Sequence, residues 1–350
     1  MKLRERQRDL LPAMGFLLPN FTGFIVFTAG PVLFSLAVSF SNWNLQRTIP
    51  FQWIGLGSFW ELAGSQDFWL YFLNTVYLML GMPVAVAGSL LLAILLSQRL
   101  RGIVVYRTLF YLPTFTSGVA LMILWKALYN PDFGPVNALL NWAIQTFHIN
   151  GAVQTAAEGA NWAVRTCHLD GVLPTFQAGT LAAPQWLLST SNLLGLDVEK
   201  VATTAKQWGL GARDAIIIMG IWIAIGGNGM LLYLAALTNI PLELYEAAEI
   251  DGASKWQAFR HVTWPQLAPT TFFIVVMSFI GGLQGGFDQA RVMTAGGPAG
   301  TTTTLAYYIY TKAFEEFQIG YASAISWILF VMIFTITLIN WRFGSPELNY

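Results

Sequence analysis

The chain has 350 residues, of which 55% are hydrophobic and 10% charged, with a mean hydropathy of +0.55. Soluble domains carry about 25% charged residues, so a water-soluble fold of this size is excluded and the composition reads as a polytopic membrane protein. Basic and acidic residues number 18 each, which argues against a nucleic-acid partner, and the single Cys167 rules out an intrachain disulfide or a cysteine-based metal site.

Six apolar runs, near 13–40, 69–96, 106–128, 214–238, 267–290 and 321–341, are long enough to cross a bilayer, which takes roughly 17–25 residues. An all-α bundle of about six transmembrane helices over 13–341 is the expected fold. The first run is longer than the roughly 7–15 residue core of a signal peptide. Lys2, Arg4, Arg6 and Arg8 precede it, and Arg99, Arg101 and Arg107 follow the second run, whereas the opposite connection, 41–68, has only Arg47. The excess of cations places segment 1–12, the 97–107 loop and, with an even number of spans, the tail 342–350 in the cytoplasm.

The connection 129–213 then lies on the outer side. It holds "GAVQTAAEGANWAVRTCHLDGVLPTFQAG" and "GLDVEKVATTAKQWGL", too polar to cross, with enough Trp and Leu to favour a small ordered cap over about 150–212. His148 and His168 lie in it and His261 far beyond, so the histidines show no metal-ligand spacing, and no metal site is expected.

Span four contains "IAIGGNGMLLY", with Asn228 between Gly226, Gly227 and Gly229. After it comes the charged island 239–266, "NIPLELYEAAEIDGASKWQAFRHVTWPQ". Asn239 before Pro241 reads as a helix start, Gly252 as a left-handed stop, and Ser254 with Gln257 as a capping box for a second short helix ending at Trp264–Pro265. Glu243, Glu246 and Glu249 recur every three residues and share a face. A plain connection in a bundle needs about 2–8 residues, so this longer, specified loop reads as a docking surface on the cytoplasmic side. Span five carries "MSFIGGLQGGFDQ", with Ser278, Gln284 and, near its outer end, Asp288. Glycine clusters with amides in two successive spans point to an uncharged polar pocket, for which Trp222, Tyr233 and Phe287 are candidate aromatic platforms; close helix packing is the competing explanation of the glycines. Asp288 is placed to pair with Arg291 and act structurally.

The stretch "EAAEIDGASKWQAFRHVTWPQLAP" resembles the EAA motif of ABC importer permeases, with Glu246, Ala247, Ala248, Gly252, Val262, Trp264 and Pro265 at the motif positions and Val and Trp in place of the usual Ile and Leu. "SFSNWNL", "NTVYLMLGMPVAV", "FYLPTFTSGVALMILWKALYNPDFGPVNALL", "LYLAALTNIP" and "VMTAGGPAGTTTTLAYYIYTKAFEEFQIGYASAISWILF" resemble the carbohydrate-uptake branch of that family. The resemblance covers nearly the whole chain except 151–210, where "APQWLL" looks like a family segment between two insertions. It implies a type I importer permease in a bacterial inner membrane, paired with a second permease, two cytoplasmic ATPase subunits and an extracytoplasmic solute-binding protein, and carrying a sugar or oligosaccharide by alternating access. It also implies that Glu246, Ala247, Ala248, Asp251, Gly252 and Pro265 couple to the ATPase. No G-x-x-x-x-G-K-[ST] loop occurs, so the chain is expected to hold no cofactor itself and to rely on ATP and Mg bound by the partner ATPases. A membrane-embedded enzyme would need ionisable groups clustered at depth, which the spans lack. A self-sufficient secondary transporter would need a coupling carboxylate in mid-span, for which Asp288 is the one candidate.

Overall fold

The computed structural model describes residues 15–46, 50–98, 101–151, 154–155, 158, 166, 183–194 and 209–344. Among these the chain is helical, with one isolated bridge between Ser41 and Trp53. In hydrocarbon every backbone N–H and C=O must be paired within the protein, and a helix does this within its own segment. Long apolar runs therefore become helices: α1 Gly15–Ser39, α3 Gln66–Ser97, α10 Lys255–Gln284 and α12 Ile319–Gly344. Shorter helices are α2 Gly57–Gly64, α4 Ile103–Phe115, α5 Gly118–Leu128, α6 Pro135–Thr146, α7 Ala212–Ile225, α8 Asn228–Thr238, α9 Leu242–Ile250 and α11 Leu305–Tyr310.

The chain forms two compact units. In the unit of residues 1–69 and 305–341, the connection after α1 is clasped to the start of α12. Leu45 N–H donates to Phe317 O (2.9 Å), Gly320 N–H to Trp43 O (3.0 Å), and Trp327 Nε1 to Ser35 Oγ (3.2 Å). Asn42 holds the loop closed by donating to Pro50 O and accepting from Gln52 N–H.

In the unit of residues 70–304, one apolar core joins α3, α8 and α10 through Leu90, Ala93, Met230, Tyr233, Leu267 and Ile274. A second joins α5, α7, the 186–188 turn and the 289–294 turn through Met122, Tyr129, Trp186, Met219 and Met293. Trp186 is buried and donates to Asn137 Oδ1 (2.6 Å), while Tyr129 donates to Ala215 O (2.9 Å) and packs its ring on Trp186. The "APQWLL" stretch is thus a plug in the second core; 167–182 and 195–208 of the expected cap lie outside the described residues. At the start of α7, Asp214 accepts from Tyr77 Oη (2.7 Å), Gly211 N–H (3.2 Å) and Leu193 N–H (3.3 Å), and buried Arg213 lies 5.0 Å from the centre of the Tyr77 ring. The glycine-rich "TAGGPAGTTTT" is a packed turn: Asn74 Nδ2 donates to Gly300 O and Thr303 O, and Thr301, Thr302 and Thr304 are buried.

Four expectations need correction. Span three is not one helix over 106–128. It is α4 and α5, set at 99° to one another across extended Thr116 and Ser117. Pro113 removes a helical N–H one turn before the break, and Gly118 opens the next segment. Span four is interrupted at Gly226–Gly227, so Asn228 begins a helix rather than sitting inside one. Asn239 closes α8, its N–H donating to Ala236 O, and Pro241 takes the cap of α9. Trp264–Pro265 does not end the second island helix. A π turn at Phe259–Thr263, closed by Trp264 N–H to Phe259 O, absorbs the N–H that Pro265 lacks, and the helix runs on to Gln284, short of the expected 290.

Candidate functional site

Two features stand apart from the packed cores. The first is the loop from α8 to α10. Helix α9 carries Glu243, Glu246, Ala247 and Glu249 exposed, with Ala248 half-buried. It stops as its composition dictates. Gly252 takes φ +77°, Asp251 N–H donates to Ala247 O, Gly252 N–H to Glu249 O and Ala253 N–H to Ala248 O. Ser254 and Gln257 form the capping box in both directions, at 2.7 Å and 3.3 Å. Tyr245 Oη meets Thr263 Oγ1 at 2.9 Å and ties α9 to the π turn of α10. Ile250 is 86% exposed, and Leu242 and Trp256 are also largely exposed. Ile250, Leu242 and Trp256 thus leave large apolar side chains uncovered beside the carboxylates of α9. Pro265 lies inside α10 and exposed, so the expected coupling residues occupy two joined helices rather than one island.

The second feature is where the broken spans cross. A Cβ built on Gly226 would lie 2.1 Å from Phe110 O, so the backbone of α4 passes directly over the break in span four. Tyr111 Oη then donates to Asn228 Oδ1 (3.0 Å). The break frees carbonyls, and Ala224 O is met by both Gly227 N–H (3.0 Å) and Ser89 Oγ (3.1 Å). Beside this crossing is a cavity of about 280 Å³ whose polar lining is Ser89, Thr114, Asn228 and Ser278. A neighbouring cavity of about 390 Å³ shares Ser278 and adds Thr75, Gln289 and Thr304.

Of the six residues expected at a substrate pocket, Asn228 and Ser278 therefore come together. Gln284 is exposed at the end of α10, outside both linings. Phe287 lies past the Gly285–Gly286 break, its ring centre 5.8 Å from the Arg291 guanidinium. Trp222 is half-exposed and packs edge-on against Trp125 at 5.4 Å. Tyr233 is fully buried, with its hydroxyl on Thr271 Oγ1 (3.2 Å), and so belongs to the core rather than to an open platform. Asp288 stands at the beginning of α5, its Oδ2 3.8 Å from a Cβ built on Gly118, where the helix dipole favours a negative charge. Ser89, Thr114 and Tyr111 were not anticipated; their only signal is a hydroxyl within an apolar run, which is common to many helix-packing residues.

Among the described residues no three His, Cys, Asp or Glu side chains gather to hold a metal. His148 is exposed with its ring near Thr146 O, and His168 lies outside the described residues.

A family model described as "Binding-protein-dependent transport system inner membrane component" matches residues 54–342. Probable ABC transporter permease protein YesP of Bacillus subtilis (strain 168) is 31% identical, over 100% of this chain and 95% of its own. Lactose transport system permease protein LacF of Rhizobium radiobacter is 29% identical, over 93% and 91% of the two chains. A chain in the crystal structure of a bacterial ABC transporter involved in the import of the acidic polysaccharide alginate superimposes with a TM-score of 0.71 over 98% of each chain; at 22% identity this is a likeness of fold.

Proposed function

Because the chain belongs to the family of binding-protein-dependent transport system inner membrane components, as a membrane-spanning ABC permease with the type I fold, we propose that it is the pathway subunit of an ATP-driven importer of sugars or oligosaccharides. LacF and the multiple sugar-binding transport system permease protein MsmF of Streptococcus mutans serotype c, the latter 26% identical over 90% of this chain, support the cargo class. The observation that carries the coupling is the α9–α10 loop: an exposed surface of Glu246, Ala247, Asp251 and Gly252 joined by one tight turn to α10, a helix long and apolar enough to cross a membrane.

In this reading the loop faces the cytoplasm and receives one of two ATPase subunits, which bind ATP and Mg. A second permease completes the pathway, and an extracytoplasmic binding protein delivers cargo. A second structure of similar fold, with a TM-score of 0.68, is of a bacterial alginate ABC transporter in complex with an alginate pentasaccharide-bound periplasmic protein, which supports such a partner. Closure of the ATPase pair displaces α9 and α10, and Tyr245–Thr263 keeps the two moving together. That motion reaches Ser278 and Asn228, whose hydroxyl and amide suit sugar hydroxyls, at the crossing of two interrupted spans. Interrupted helices near mid-membrane, which leave backbone groups turned toward a cavity, form the sites of several transporters. The test is reconstitution of the whole complex in proteoliposomes and measurement of uptake across a panel of labelled oligosaccharides. Uptake of at least one that requires ATP, the binding protein and this chain is expected; uptake of none, or uptake independent of ATP, would refute the proposal.

A further inference from the structure

The two cavities at the crossing meet at Ala85, Ala224 and Ser278, and among the described residues no Asp, Glu, Lys, Arg or His lines either. The larger, of about 390 Å³, lies between α3, α7 and α10. Gly81, Gly282, Gly285 and Gly286 in its wall are explained by close approach. A Cβ built on each would come within 3.0 Å of another atom, 2.8 Å from Ile217 Cγ2 for Gly81 and 2.5 Å from Thr304 Cγ2 for Gly286. Gly220 of α7 and Gly281 of α10 line the same cavity and are different: a Cβ on either meets nothing within 4 Å. Each sits inside a helix, where glycine costs about 1 kcal/mol relative to alanine, and neither lets a neighbour close in. What the two missing side chains leave is room in the cavity.

A sugar unit takes roughly the space of six waters, about 180 Å³. The cavity of about 280 Å³ beside Asn228 therefore holds one, and the larger cavity has room for the next. We propose that Gly220 and Gly281 select the cargo by length, keeping the larger cavity clear for a second sugar unit beside the one held at Asn228 and Ser278. The choice of a sugar rests on the import reading of the crossing; the open space beside the two glycines does not.

The test uses the whole complex in nanodiscs, with Cys167→Ser and Ser278→Cys in this chain, so that its one thiol stands where the cavities meet. It is treated with glucosyl and with maltosyl methanethiosulfonate, and the rates are read from the intact mass of the chain. Gly220→Leu with Gly281→Leu should slow the maltosyl reagent about tenfold or more, as an overfilled cavity does, and leave the glucosyl rate within about threefold, which also shows that the variant is folded. If the double substitution prevents assembly, Gly281→Ala, Gly281→Val and Gly281→Leu are compared, and the maltosyl rate should fall step by step with side-chain size. An unchanged ratio of the two rates, an equal loss of both, or failure of both reagents to label the thiol when the glycines are intact overturns the proposal. With Ser278 in place, the double substitution should shift uptake toward the shortest member of any oligosaccharide series that the parent complex carries; a length profile that does not move overturns it too. Absence of ATP-driven uptake by the parent complex, alongside the expected response of the two reagents, would instead count against the import reading alone.

Discussion

Gly226 is where two backbones meet, and no side chain fits between them. Gly226→Ala would place a methyl 2.1 Å from Phe110 O. Since neither partner is a flexible side chain, the substitution should cost about 1–3 kcal/mol, the range for overpacking. A lowered thermal midpoint in detergent checks this. Gly220→Ala, more than one turn earlier inside α7 with nothing within 4 Å, should be neutral or stabilise by up to about 1 kcal/mol and serves as the control. Beside Gly226, Asn228→Ala should change the uptake constant while the complex still assembles, whereas Tyr111→Phe, which loses one hydrogen bond of about 0.5–1.5 kcal/mol, should shift it less. An unchanged constant in Asn228→Ala removes that residue from the pathway. The sequence makes Asn228 conspicuous because glycines flank an amide in an apolar run. It cannot display Tyr111, which is 117 residues away and becomes a partner only when α4 crosses the break.

Helix α9 and the first turns of α10 present the opposite case, because their geometry is local. Gly252 at φ +77° and the Ser254–Gln257 box depend on residues within a few positions of one another, and both are readable from the chain. Gly252→Val meets no neighbour, so its effect is conformational: a β-branched residue is forced into the left-handed region and the loop rearranges. Combined with Glu246→Lys it should reduce co-purification of the ATPase and abolish uptake. The thermal midpoint of the membrane part should move little, since both positions are exposed; retained assembly and uptake would refute the docking role. Continuity through Pro265 was not readable, because proline both stops helices and sits well in a first turn, and only the π turn decides between these outcomes. Pro265→Ala restores the missing N–H and permits an ordinary α turn. Loss of the extra residue would rotate the loop by about 100° relative to the rest of α10. Normal ATPase binding with a reduced ratio of sugar carried to ATP hydrolysed is expected, measured on the reconstituted complex.

For the molecule as a whole, hydropathy locates every span to within a few residues, except that α10 starts in the loop and stops early, because transfer into lipid depends on composition summed over a window. It does not register the 99° turn in span three, since both halves are apolar. Nor does it reveal that Trp186 returns to the core after a long polar excursion, a contact set by burial of one side chain and its bond to Asn137. The purified chain by itself should hydrolyse no ATP, with phosphate release as the readout; turnover exceeding that of a Glu246→Lys control would contradict the sequence, which has no phosphate loop. Helix α10 has 30 residues and is therefore about 45 Å long, at 1.5 Å per residue. Its loop end is braced by Tyr245 and its far end stops at two glycines, with Ser278 more than three-quarters of the way along. Under the proposed coupling such a rod would work as a lever: a push at one end would become a sideways sweep at the other, and the widened turn at Phe259–Thr263 would be the joint that sets how much of the stroke is delivered.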